Sequence, residues 1–315
     1  MMKILGENDR LPQGSTVATI GMFDGVHRGH VTLVEFLKQQ ATIQGKQSLV
    51  ITFLHHPRQV LYSDDRFRLI MSLEDRLSEL GALDPDLLLP LDFTRELAAL
   101  DSYRFIELLR DRYGVGVLVA GYNHRFGHNK GETFEDYCRH GSELGVKVVK
   151  APEYLGQYAP VSSTIIRGLI AAGRVVDAMH CMGRPHVIKG KVVHGFHNGR
   201  GLGFPTANVG ELDPQLILPH NGAYAVLTHV RGQVLQGMAN IGKRPTLENG
   251  DNISIEVNLF DFDDDIYGED ITLEFISFLR LEFKMCGLDE LKRQLTHDRT
   301  NAKRLLNEYL TTKQS

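Results

Sequence analysis

The chain has 315 residues, enough for two domains, with 42% hydrophobic and 23% charged residues, the balance of an ordinary globular protein. A formal net charge of −4 gives no support for general nucleic-acid binding, so phosphate recognition has to be local. Cys138, Cys181 and Cys286 lie far apart with no CxxC pair, which argues against a disulfide framework and suits reduced thiols in a cytoplasmic protein. Met1–Gly14 is polar and no apolar run approaches a transmembrane length, so neither a secretory signal nor a membrane partner is expected.

Thr16–Ile20 is an apolar, β-branched run that predicts a buried strand. It leads through Gly21-Met22-Phe23-Asp24-Gly25-Val26-His27-Arg28-Gly29-His30 into a helical pattern from Val31 to about Thr42, with Val31, Leu33, Val34 and Leu37 spaced for a core face. A strand, a glycine-rich turn and a helix start meet at one point. In open α/β sheets, backbone N–H groups and the helix dipole converge on phosphate there. His27 and His30 are three apart and share one face at the head of the helix, where imidazole N–H groups can stabilise charge growing on a phosphate. Gly29 leaves space where a base or ribose could pack. Residue types alone leave open a pair of surface histidines, and a zinc site lacks further ligands.

Strand and helix patterns continue to alternate. Gln47–Leu54, Leu87–Leu91, Val115–Ala120 and Val146–Lys150 read as strands, and Leu73–Leu80 and Tyr103–Arg112 as helices, with a further helix before Val146. This predicts a parallel sheet covered on both faces. Right-handed crossovers put the strand C-termini on one edge, so the His27–His30 turn, His55-His56-Pro57-Arg58 and the Gly121–Gly131 loop should open there together. Val161-Ser162-Ser163-Thr164-Ile165-Ile166-Arg167 opens a helix that ends near Ala172-Gly173. One hydroxyl suffices for an N-cap; three, with an arginine one turn inside, fit a phosphate cradle.

The pattern changes at about Gly183-Arg184-Pro185. Ile188–Val193, Tyr224–Val230, Gln233–Ala239, Ile253–Phe260 and Ile271–Leu281 are strand-like, separated by Gly, Pro and Asn, which suggests a closed antiparallel barrel. A charged final helix spans roughly Leu288–Leu310. In Phe204-Pro205-Thr206-Ala207-Asn208, Thr206 and Asn208 are two apart, so on an extended chain both side chains face one way, either as polar caps of a strand start or as hard oxygen donors suited to Mg²⁺ on phosphates. Ile253, Ile255, Val257 and Leu259 alternate as a buried face and put Glu256 on the other. The Asp261–Asp265 run lacks the glycine and distal glutamate of a calcium loop and reads as a strand-end turn.

The Gly-x-Phe-Asp-Gly-Val-His-x-Gly-His string is similar to the His-x-Gly-His signature of the nucleotidylyltransferase superfamily. At full length it resembles the prokaryotic bifunctional riboflavin kinase/FMN adenylyltransferase family. The Ser162–Arg167 segment is similar to that superfamily's phosphate signature, Gly121–Gly127 to its Gly-x-Asp/Asn-Phe-x-Phe-Gly loop, and Phe204–Asn208 to the riboflavin kinase Phe-Pro-Thr-Ala-Asn motif. Glu256-Val-Asn-Leu-Phe-Asp-Phe, Asn240-Ile-Gly-Lys-Arg-Pro-Thr and Leu279-Arg-Leu-Glu-Phe-Lys also have counterparts in the family, as do Gly222 and Tyr224. Three departures stand out: His55 replaces a proline, His124 an aromatic residue, and Asn258 a histidine.

The resemblance implies a Rossmann-like α/β adenylyltransferase domain over 1–184 and a β-barrel riboflavin kinase domain with a terminal helix over 185–315. The first would use His27, His30 and Arg167 in catalysis. Gly21, Phe23, Asp24, Gly25, Gly29, Asn123, Ser162, Ser163 and Thr164 would bind ATP, and His56, Pro57, Arg58 and Phe126 the flavin. The second would use Glu256 as base, Thr206 and Asn208 toward Mg²⁺, and Gly199, Arg200, Gly203, Phe204, Pro205, Asn240, Gly242, Pro245, Thr246 and Arg280 around ATP and flavin. Riboflavin, FMN and ATP would be the partners of a monomer or weak homo-oligomer. Loss of one activity, or a flavin-binding regulator without chemistry, are the rival readings.

Overall fold

The computed structural model describes residues 2–6, 8–62, 66–122, 131–194, 204–243, 253–282 and 287–314. The chain divides into two compact units, Met1–Phe67 with Met71–Ser162, and Arg68–Ile70 with Ser163–Ser315. No helix among the described residues is long and apolar enough to cross a membrane.

The first unit alternates β1 (Lys3–Ile4), β2 (Thr16–Ile20), α1 (Arg28–Ile43), β3 (Gln47–Phe53), α2 (Pro57–Tyr62), α3 (Leu73–Ala82), β4 (Leu87–Leu91), α4 (Arg95–Ala98), α5 (Ser102–Tyr113), β5 (Val115–Ala120), α6 (Phe134–Glu143) and β6 (Lys147–Lys150). The strands form one parallel sheet in the order β1-β4-β3-β2-β5-β6. Near-continuous apolar runs such as Ser48–Phe53 are buried because both faces are covered. On one face α1 and α3 pack Leu33, Val34, Leu37 and Leu80 against Val17, Val50 and Leu88. On the other, α5 and α6 pack Phe105, Leu109 and Tyr137 against Ala18, Leu49 and Leu118. The chain runs outward from β2 through β3 to β4, then restarts at β5 on the opposite side. The switch point is therefore at the C-terminal ends of β2 and β5, where such sheets bind ligands.

The second unit holds α7 (Ser163–Ala171), α8 (Val175–Met182), β7 (His186–Val193), β8 (Ala207–Gly210), β9 (Gly222–Val230), β10 (Gln233–Lys243), β11 (Ile253–Leu259), β12 (Asp270–Arg280) and α9 (Leu288–Gln314). Its strands close an antiparallel barrel, β10-β11-β8-β7-β12-β9. Val192, Val226, Ile241, Ile255, Val257 and Phe275 fill an inner core. An outer cluster joins Phe204, Ala225, Leu227, Met238, Phe260 and Ile276 to Ala302 and Leu306 of α9.

Several elements differ from the sequence expectation, and β1, α2 and α4 have no counterpart in it. α1 starts at Arg28 rather than Val31, because a histidine supplies the cap where Ser, Thr, Asp or Asn would mark one. α8 had no signal of its own beyond Val175, Ala178 and Met182, which are buried. β10 runs past the expected end at Ala239 and takes in Asn240 and Gly242, since it stays paired with β11 as far as Lys243.

Two candidate active sites

At the end of β2 the chain turns sharply. Phe23, Gly25 and Val26 have φ of 53°, 82° and 31°; for a β-branched valine that is a strained conformation held by its surroundings. The Phe23 ring folds back over Gly21, where a Cβ would lie 3.2 Å from it. His27 then caps α1 with its side chain: Nδ1 accepts the His30 backbone N–H at 3.3 Å. An accepting Nδ1 carries no proton, so the neutral ring has its N–H at Nε2 on the opposite edge. The His27 and His30 rings stack at 3.6 Å between centroids, and Phe23 meets His30 edge-on at 5.1 Å. A Cβ on Gly29 would sit 3.2 Å from His27 Cε1. The glycine thus makes room for the stack, a nearer cause than the nucleotide space expected from sequence.

A residue unremarked in the sequence lies beneath this turn. Arg76 of α3 is 1% exposed, reaches the Phe53 carbonyl at the end of β3, and approaches Met22 Sδ at 3.6 Å. Burial lowers its guanidinium to about 10, opposed by the charge of Asp24, itself 1% exposed. A buried cation thereby ties together the ends of β2 and β3 that carry the site. The signal was present: Arg76 shares the i, i+3, i+4, i+7 face of Leu73, Leu77 and Leu80, a charge where the pattern wants an apolar residue.

His56 repeats the cap device at α2, its Nδ1 accepting the Arg58 N–H at 3.1 Å. Its ring lies 4.2 Å from that of Phe67, over which the Arg58 guanidinium also sits at 5.4 Å. Pro57 begins that helix. Ser162 ends the first unit, and Ser163, Thr164 and Arg167 lie in the first two turns of α7 in the second. Asn123, Phe126 and His124 fall outside the described residues, as do Gly199, Arg200, Gly203, Pro245 and Thr246.

In the barrel, register does the assembling. Asn240 of β10 pairs with Glu256 of β11, which pairs with Asn208 of β8. On the other side Asn240 pairs with Ala223 of β9, and Ala223 with Arg280 of β12, beside a register shift. Directly opposed residues share a face, so four predicted site residues from distant parts of the chain stand in one row. The Thr206 hydroxyl donates to Glu256 Oε2 at 3.5 Å. Asn240 Nδ2 donates to Glu282 at 2.8 Å, and a Cβ on Gly242 would collide with that carboxylate. Arg280 Nε donates to Asp298 of α9 at 2.8 Å; Gln294 donates to the other oxygen of Asp298 at 2.7 Å. Asp298 interrupts the apolar stripe of α9 as Arg76 does that of α3, and its side chain is 5% exposed. The Phe204 ring packs in the outer cluster under α9, anchoring the segment that leads to Thr206. Beside Pro205 and Thr206 opens a cavity of about 370 Å³, lined also by Phe262, Asp264 and Tyr267.

Among the described residues no group of three or more His, Cys, Asp or Glu could hold a metal ion. The Thr206 hydroxyl and Asn208 amide are neutral hard donors, a set that fits a Mg²⁺ carried in on phosphate rather than a resident transition metal.

The fold and the two sites define a pair of nucleotide-dependent transferases on one chain. Comparison with known proteins agrees: a family model described as FAD synthetase matches residues 10–165, and one described as riboflavin kinase matches 182–306. A bifunctional riboflavin kinase/FMN adenylyltransferase of Bacillus subtilis is 38% identical over 92% of both chains. Those of Escherichia coli K12 and Haemophilus influenzae are 35% and 34% identical, over 93% and 98% of this chain and 93% and 99% of theirs. A crystal structure described as a macrolide-efflux protein from Streptococcus pneumoniae superposes with a TM-score of 0.84 at 31% identity, covering 94% of this chain and 96% of that one. The chain belongs to the bifunctional riboflavin kinase/FMN adenylyltransferase family.

Proposed function

We propose that the chain makes FAD from riboflavin in two steps: riboflavin and ATP give FMN and ADP, then FMN and ATP give FAD and pyrophosphate. The functional division falls at 184/185, with adenylylation in 1–184 and phosphorylation in 185–315. The observation that carries the reading is the cross-strand row Asn240–Glu256–Asn208, which sets a carboxylate beside hard-oxygen donors, together with the stacked His27/His30 pair at the switch point.

In the first reaction Glu256 accepts the proton of the riboflavin 5′-hydroxyl as it attacks the γ-phosphorus of ATP, within reach of the Thr206 hydroxyl. Thr206 and Asn208 would hold Mg²⁺, which supplies neutralisation of phosphate charge when bound. Arg280, held by Asp298, and Asn240 and Gly242 line the approach, with Gly199, Arg200, Gly203, Pro205, Pro245 and Thr246 as further ATP- and flavin-binding residues; Phe204, its ring packed under α9, serves that site through the backbone it anchors. In the second reaction an FMN phosphate oxygen attacks the α-phosphorus of ATP in line and pyrophosphate leaves. No covalent enzyme intermediate is needed, so the work is positioning and charge stabilisation. His27, through Nε2–H, and His30 donate to the phosphoryl oxygens. Ser162, Ser163, Thr164 and Arg167 hold the β- and γ-phosphates, and Gly21, Phe23, Asp24, Gly25, Gly29 and Asn123 shape the ATP site. His56, Pro57, Arg58 and Phe126 face the flavin. The partners are small molecules and the setting the cytoplasm, with the protein a monomer or weak homo-oligomer.

A time course with riboflavin and MgATP, resolved by chromatography, tests this. FMN should appear first and FAD follow. Failure to convert either riboflavin or supplied FMN would sink the enzyme reading and leave a flavin-binding protein.

A further inference from the structure

β8 is short and pairs with β11 through Ile255↔Val209, Glu256↔Asn208 and Val257↔Ala207. The next pair along would be Asn258 and Thr206, but the ladder stops there, and just before Thr206 stands Pro205, with no N–H to donate. The Asn258 side chain takes over. Its Nδ2 donates to the Pro205 carbonyl at 2.7 Å, and the residue is 4% exposed. Asn258 is the buried partner of this bond and Pro205 the exposed one, so the cost of losing it falls on the shielded amide rather than on the carbonyl. Asn258 is two residues from Glu256 on the same face of β11. The backbone that delivers Thr206 is thus fastened to the strand that carries Glu256, and the 3.5 Å approach of Thr206 to that carboxylate follows from the fastening.

We propose that Asn258 is a positioning residue of the kinase site, holding Thr206 in place beside Glu256. The proposal rests on the kinase reading above. It also accounts for histidine at this position in the resembling family: a histidine Nδ1–H stands at the same bonded distance from the backbone as the asparagine Nδ2–H, and can donate to the same carbonyl.

The test compares Asn258→Asp, which keeps shape but puts an acceptor against the carbonyl, with Asn258→His, which keeps a donor. Riboflavin phosphorylation is followed while Mg²⁺ is varied at saturating ATP, and FMN adenylylation is measured alongside as a control. N258D should lower kcat for phosphorylation and raise the Mg²⁺ concentration for half-maximal rate, each by about tenfold, the usual effect of losing a group that orients a metal ligand, with KM for riboflavin unchanged. N258H should restore both to within about threefold of the parent, taken as the ordinary context scatter of a single contact. A normal Mg²⁺ dependence in N258D, or N258H as impaired as N258D, would overturn the proposal. A parent protein that adenylylates FMN but never phosphorylates riboflavin would instead refute the kinase reading beneath it.

Discussion

The two sites differ in what holds their side chains in place. In the first unit the candidate residues His27 and His30 sit on one turn at a sheet edge, fixed by local devices: positive φ at Phe23, Gly25 and Val26, a histidine cap, a ring stack, and a buried arginine below. In the barrel the candidate residues come from four strands and are aligned by ladder register, with side-chain bonds at the margins. Function concentrated in one turn can be read from one contiguous string. Function spread along a row needs the register, which no single segment states.

The sharpest way to break this comparison is to remove one group from each site. His30→Ala should lower FAD formation from FMN by about 10²–10³-fold while sparing riboflavin phosphorylation. Glu256→Ala should lower phosphorylation by about 10²–10⁴-fold while sparing adenylylation. Rates with each substrate supplied separately check both, and equal damage to both reactions would contradict independent sites.

Arg76→Met tests the local scaffold. It removes the cation whose field Asp24 lies in, so the first unit should lose about 3–5 kcal/mol of stability, read as earlier denaturant unfolding. An unchanged midpoint would mean that the buried charge holds nothing.

His186 offers the matching test in the barrel unit. It is buried, its Nε2–H donates to the Ile217 carbonyl, and desolvation pushes its ring down to about 4. Unfolded, it titrates near 6.5, so between those values the unfolded chain binds the extra proton. Stability is full above about 6.5 and falls as pH drops toward 4, by on the order of 3 kcal/mol. Denaturant melts across that range check it, and His186→Gln should flatten the acid limb.

Gly29→Ala should have the smallest effect. The added Cβ forces the His27 ring to shift by a few tenths of an ångström, and adenylylation should drop by about tenfold with phosphorylation untouched. Full adenylylation activity would separate the ring stack from catalysis.

The same contrast explains what the sequence made legible. The parallel sheet was readable because its strands are near-continuous apolar runs, and the barrel because its strands alternate and are punctuated by turns. His27 and His30 were readable as a pair, but not their stack, since histidine is not an expected cap. Asn240 lay beyond the expected end of the strand at Ala239 because the extension of β10 depends on β11. Arg76 and Asp298 left a trace, each a charge on an apolar helical face, but their partners Phe53 and Arg280 are distant in sequence.

The account rests on two self-sufficient sites in one chain, and mixing tests it most directly. His30→Ala and Glu256→Ala proteins, each unable to convert riboflavin to FAD, are combined with riboflavin and MgATP. The account predicts that FMN released by the first is adenylylated by the second, so FAD accumulates after a lag. A mixture that builds up FMN and never yields FAD, or that leaves riboflavin untouched, would contradict it.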